Sequence, residues 1–115
     1  MRALLLAAVV LAGCGSDTLG EDTAYRRLVG EFNTYEQCAT SGFVGCYQTL
    51  TLCTSGRVRM ELDPSRQEGK YTLDGDLAIA AFPTMTVRFD LEKAQSQQLP
   101  GRAWELVEPV VYDCP

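Results

Sequence analysis

The chain has 115 residues, with ten basic and fifteen acidic side chains, a formal charge of −5, five cysteines and no histidine. That length holds one domain with a single modest core, of a size that often relies on cross-links. The acidic balance argues against nucleic acid and anionic headgroups, which require clustered lysines and arginines, and the missing histidine removes the usual general base together with every Ser-His-Asp or Cys-His arrangement.

At the start, Arg2 supplies a positive charge, Ala3 to Ala12 form a short apolar run, and Gly13 precedes Cys14. The run is shorter than the roughly 20 apolar residues of a membrane-spanning helix, and its order of charge, apolar stretch and small residues is that of a cleavable signal. Leu11-Ala12-Gly13-Cys14 resembles the lipobox of bacterial lipoproteins. The resemblance implies that residues 1–13 are a signal peptide, that Cys14 becomes the lipidated N-terminus, and that the membrane is engaged through acyl chains alone. Two or three chains anchor stably, since each buried methylene contributes about 0.8 kcal/mol. In Gram-negative lipoproteins an Asp directly after the lipidated cysteine favours retention in the inner membrane. Here Gly15 and Ser16 follow, so the resemblance implies the cell envelope, on the periplasmic face of the outer membrane. The mature chain then carries nine basic against fifteen acidic side chains.

Residues 14–27 are small, polar and charged beyond the cysteine, and read as a flexible tether. From Leu28 onward, residues 28–115 read as a single all-β domain. The clearest strands are Arg57–Asp63, with Val58, Met60 and Leu62 on one face, and Thr84–Leu91, with Met85, Val87, Phe89 and Leu91 on one face; both patterns fit half-buried antiparallel strands. Leu28–Tyr35, Tyr47–Cys53, Gly69–Leu73, Leu77–Phe82 and Arg102–Val107 follow as strands, with Val110–Tyr112 as an eighth. Turn residues fall between them at Thr54-Ser55-Gly56, Asp63-Pro64-Ser65, Asp74-Gly75-Asp76 and Leu99-Pro100-Gly101. Asp74-Gly75 is expected to form a type I′ hairpin turn. Seven or eight strands with short turns predict an antiparallel up-and-down meander closing into a small barrel, which removes exposed edges.

Leu28-Val29-Gly30-Glu31-Phe32, Leu50-Thr51-Leu52 before the Gly56 turn, and Gly69-Lys70-Tyr71-Thr72-Leu73-Asp74-Gly75-Asp76-Leu77 resemble, in their order, small lipocalin-like domains of bacterial lipoproteins. The resemblance covers about half of the mature chain and implies a lipocalin-like barrel. Trp104 lies late in the chain, and no Gly-x-Trp stands near the first strand, a departure from lipocalins that argues against a capacious pocket.

With Cys14 assigned to lipid, Cys38, Cys46, Cys53 and Cys114 form an even set in an oxidising compartment, which predicts two disulfides. Were residues 46–53 one continuous strand, its ends would lie about 23 Å apart, far beyond the roughly 4.4–6.8 Å between bridged Cα atoms. Cys46 therefore does not pair with Cys53. Strand parity favours Cys38–Cys46 with Cys53–Cys114, and Cys38–Cys53 with Cys46–Cys114 is the alternative. Without a Cys-x-x-Cys pair or a histidine, the cysteines do not read as a metal site, and no cofactor is expected.

Arg57, Arg59 and Arg88 on strand faces read as a solvated surface or as a patch for an anion. Asp74 and Asp76 read as hairpin residues, and Trp104, Tyr47 and Tyr71 as core or rim. Gly42, Phe43 and Val44 stand out as a candidate binding loop, because two apolar residues sit in a Gly-bounded segment held by a disulfide, and preorganisation lowers the entropic cost of binding. The function expected is that of a noncatalytic binding or structural module, contacting an envelope protein or a small apolar ligand. The alternative is an inhibitor of lysozyme or a protease, a role some small disulfide-bonded envelope lipoproteins fill by inserting a loop into the enzyme.

Overall fold

Alternation of apolar and polar side chains builds the sheet. The computed structural model describes residues 17–30, 32–43, 45–62, 65–108, 110 and 114. Residues 1–13, expected to be a signal peptide, together with Cys14 and Val44 therefore lie outside the described residues. The elements are β1 (Thr23–Leu28), α1 (Tyr35–Thr40), β2 (Tyr47–Leu52), β3 (Arg57–Leu62), β4 (Ser65–Asp74), β5 (Leu77–Ala81), β6 (Thr86–Asp90), β7 (Gln95–Ser96) and β8 (Glu105–Val107). All pairings are antiparallel, in the order β7-β6-β5-β4-β3-β2-β1-β8. The all-β meander expected from the sequence is thus the architecture, with β8 returning to flank β1.

The sheet curls into a half-barrel. Tyr25 on β1 and Phe89 on β6 meet with ring centroids 4.8 Å apart, whereas in a flat sheet the intervening strands at about 4.8 Å each would hold them more than 20 Å apart. The core fills the concave side, with Leu50, Leu52, Val58, Met60, Tyr71 and Val87 all buried beside that pair. Ala78 pairs with Phe89, and Ala80 with both Tyr71 and Val87, so small side chains stand beside large ones and let the strands bend inward. Trp104 packs edge-on against Phe89 at 5.8 Å. Its backbone N–H donates to the Ala94 carbonyl at 3.1 Å, tying the approach to β8 to the β6–β7 turn across the seam.

Several expected boundaries need correction. The domain begins before Leu28: β1 occupies Thr23–Leu28, Leu73 N–H donates to the Asp17 carbonyl at 2.8 Å, and Leu19 N–H donates to the Tyr71 hydroxyl at 3.0 Å. The second half of the expected tether is therefore paired structure. The strand expected over Leu28–Tyr35 is a turn leading into a helix. Gly30, at φ 67°, ends the extended run, and Thr34 caps α1 by accepting from Gln37 N–H. Thr34-x-x-Gln37 is a capping-box pattern, a local signal that competes with alternation. Arg102–Val107 shrinks to β8, which is the eighth strand because β7 precedes it. Val110 lies outside any strand, and Val111 and Tyr112 lie outside the described residues. The β4–β5 hairpin forms with Asp74 opposite Leu77, but its central residues are Gly75 and Asp76. Only Gly75 has a positive φ, 62°, which is the pattern of a type II′ rather than a type I′ turn.

Both preferred disulfides are present. Cys38–Cys46 fastens α1 to the start of β2, and Cys53–Cys114 ties the C-terminus to the end of β2. The second joins ends that share a rim, because β8 runs antiparallel to β1 and finishes beside Ala24.

Tyr71 lies in the core, its hydroxyl donating to the Cys53 carbonyl at 2.7 Å. Burial raises the pKa of Tyr25, and burial, opposed by the bond from Leu19 and reinforced by Asp22, raises that of Tyr71. The folded state therefore favours the neutral phenols. Their contribution is complete below about pH 10, the ordinary phenol range, and is lost as pH rises beyond it. An absorbance titration is expected to show a delayed phenolate fraction that shrinks in both Y25F and Y71F. A single transition at the free-tyrosine value in wild type would contradict this.

Candidate functional site

The segment 29–46 between β1 and β2 is the largest departure from the meander. It leaves the sheet at a closed neck, where Leu28 pairs with Tyr47 and Val29 N–H donates to the Cys46 carbonyl at 3.0 Å. Thr34 starts α1, and Ser41 N–H closes it on the Gln37 carbonyl at 3.2 Å. Gly42 reverses the chain with φ 83°. Cys38 on α1 is fully buried and bonded to Cys46, so both ends of the insertion are fixed. A helix of six residues would not persist alone; the cap, the neck and the disulfide hold it.

This frame displays aromatic side chains. The Phe32 and Phe43 rings pair at 5.8 Å, and Phe43 remains 51% exposed. Tyr35, 53% exposed, stacks on Tyr47 at 5.7 Å. Beneath that stack, the Arg26 guanidinium lies 4.2 Å from the centre of the Tyr47 ring, and Arg26 also pairs with Glu105 at 3.5 Å. Cation–π and stacking contacts of this kind orient rings without covering them. Among the four large apolar side chains most exposed in the described residues, Tyr35 and Phe43 belong to this insertion; the others are Leu62 and Leu106.

Of the loop expected at Gly42, Phe43 and Val44, the first two are exposed and follow α1, and Val44 lies outside the described residues. Phe32, Tyr35 and Arg26 were missed. The capping pattern at Thr34 and Gln37 was the available signal, since a helix there moves Phe32 and Tyr35 from a strand into the same loop.

The arginine patch does not form as one surface. Arg57 and Arg59 both contact Glu68, at 3.4 and 3.6 Å. Arg88 lies apart, lining a cavity of about 540 Å³ beside β6 and β7 that is walled on its far side by Pro100, Arg102 and Trp104. A smaller hollow of about 250 Å³ adjoins Arg27 and shares Pro100, Gly101 and Arg102 with it. Arg27 reaches inward from β1. Its Nε donates to Gln48 Oε1, its Nη1 donates to the Leu99, Pro100 and Arg102 carbonyls, and its guanidinium lies over the Trp104 ring at 4.5 Å.

Asp74 and Asp76 are exposed hairpin residues, as expected. The ligand atoms of Asp22, Cys53 and Cys114 cluster within 4.8 Å, but both sulfurs are in the disulfide and Asp22 accepts from Thr54 N–H at 2.9 Å. Comparison of the chain with protein-family models, with curated proteins and with solved structures found no match.

Proposed function

We propose that this chain is a noncatalytic lipoprotein of the bacterial envelope, anchored through Cys14, which recognises a protein partner through the aromatic insertion between β1 and β2. The observation that carries the reading is a clamped loop with half-exposed aromatics at Tyr35 and Phe43. Water-facing rings on a preorganised frame pay little ordering entropy on binding, and aromatic side chains dominate interface energetics. The concave side of the sheet is filled by its own side chains, which favours a protein partner over a carried apolar ligand. The lipobox and the small disulfide-bonded meander support the lipocalin-like envelope lipoprotein as the setting. A projecting clamped loop is also the geometry of an inhibitor entering a cleft, so lysozyme and protease assays belong beside the partner search.

The experiment uses the full chain in living cells. Radiolabelled palmitate is expected to enter the wild type and not C14A. A photo-crosslinking phenylalanine at position 43 is expected to give a discrete protein adduct, identified by mass spectrometry, that the same group at exposed Thr72 does not give. F43S should weaken the purified pair by about 2 kcal/mol while costing the fold about 1 kcal/mol, the value of its pairing with Phe32. Unlabelled wild type would remove the anchor, and equal adducts from positions 43 and 72, or none from either, would remove the partner surface.

A further inference from the structure

We propose that the cavity beside β6 and β7 is a binding site for a small, hydroxyl-rich organic anion, a sugar bearing a carboxylate or phosphate. The inference is independent of the aromatic insertion.

Charge comes first. Arg88, Lys93 and Arg102 line the cavity together with one carboxylate, Asp90. Asp90 Oδ1 accepts from the backbone N–H groups of Glu92 and Lys93, both at 2.9 Å, which fixes the carboxylate and keeps its charge, so three cations against one anion leave a net charge of +2 around the cavity. Among the described residues, ion pairs are made by Arg26, Arg57, Arg59 and Arg66, and none by the three cavity cations. The ordinary reading of an exposed arginine is solvation. Three cations lining one concavity of an acidic chain are a different arrangement, because such a site concentrates positive potential where the rest of the surface repels anions.

The walls supply the second argument. Gln95 and Gln97 line the cavity, and a carboxamide offers a donor and an acceptor at once, which matches a sugar hydroxyl. Trp104 forms part of the wall, and its indole N–H is buried without a partner in the described residues. The far wall is rigid: Arg27 ties the Leu99, Pro100 and Arg102 carbonyls, and the Gln98 side chain accepts from Arg88 N–H at 2.8 Å. A volume of about 540 Å³ falls within the roughly 300–1,000 Å³ typical of small-molecule sites. Such a space holds a monosaccharide with room for water. A long anionic polymer is disfavoured by the acidic remainder of the chain.

The test titrates the full chain in neutral detergent with four probes: glucuronate, glucose 6-phosphate, inorganic phosphate and glucose. Binding is followed by calorimetry and by the fluorescence of Trp104, the single tryptophan of the chain. Saturable binding of glucuronate or glucose 6-phosphate is expected, weakening as salt is added, and the stronger of the two identifies the anionic group. R88Q and R102Q should each weaken it by about tenfold or more, the value of a charge-assisted hydrogen bond. Both side chains are outside the core, and R57Q and R66Q, at exposed arginines away from the cavity, serve as controls that should bind as wild type. Silence of both sugar anions in both readouts would overturn the proposal. So would equal binding of glucose, equal binding of inorganic phosphate, or unchanged binding in R88Q and R102Q while circular dichroism reports an intact fold.

Discussion

Replacing Cys53 and Cys114 together by alanine is expected to destabilise the domain by about 4 kcal/mol, from loop-closure entropy alone. The bridge joins residues 61 apart, whereas Cys38 and Cys46 are 8 apart, and the same relation assigns the shorter bridge about 2.5 kcal/mol. For a domain of this size the corresponding falls in thermal midpoint are roughly 15–30 °C and 10–20 °C. Topology adds to the difference. β8 pairs with β1 through only Glu105, Leu106 and Val107, and it sits at an edge of the sheet. Releasing Cys114 leaves that short pairing and the Trp104 contacts to hold the last strand. Thermal unfolding of the two double mutants in the same detergent checks the order. Hydrogen exchange should also rise along β8 in C53A/C114A and stay unchanged there in C38A/C46A. A larger loss from the short bridge would show that local clamping of the insertion outweighs chain closure.

Legibility followed locality. β3 and β6 were readable because their pattern is complete within each strand, with Val58 and Met60, or Val87 and Phe89, buried against polar neighbours. The disulfide pairing was readable because it follows from strand length and parity, which hold even though the seventh strand was miscounted. β1 was not readable. Its Thr-Ala-Tyr-Arg-Arg-Leu places one arginine on each face, and the inward Arg27 is made tolerable by Gln48 and three carbonyls more than seventy residues away. Nothing near Arg27 in the chain announces those partners. β7 escaped for a related reason. Gln95 and Ser96 carry no apolar alternation, and they are a strand only because Phe89 and Asp90 on β6 offer a ladder. Half of the aromatic surface was visible through Phe43 and the cysteines that bracket it. The cavity was invisible, because Arg88, Lys93 and Arg102 come from a strand, a turn and a returning loop that only the fold brings together.

A methyl group at residue 69 is expected to cost about 3 kcal/mol, the upper end of what overpacking removes. Gly69 pairs with Val58 on β3, and the ladder to β5 begins at the next residue, where Lys70 meets Ala81. A Cβ on Gly69 would strike the carbonyl of Ala81 and lie 3.2 Å from the Cα of Phe82. Both obstacles are backbone, so no rotamer change relieves them; the end of β5 must move. Phe82 is buried there, and its N–H donates to the Met85 carbonyl at 2.9 Å, setting the β5–β6 turn. Gly75 provides the contrast. It has open space around a Cβ but a φ of 62°, so G75A should cost only the positive-φ penalty of roughly 1–2 kcal/mol. Glu68 is the second control: its pair with Arg57 is solvated and its pair with the largely covered Arg59 is long, at 3.6 Å, so E68A should cost about 1 kcal/mol. Urea unfolding at constant m is expected to rank the losses as G69A, then G75A, then E68A. If G69A and G75A proved equal, the end of β5 would be yielding to the added methyl without resistance, and the close backbone approach at Gly69 would carry no stability.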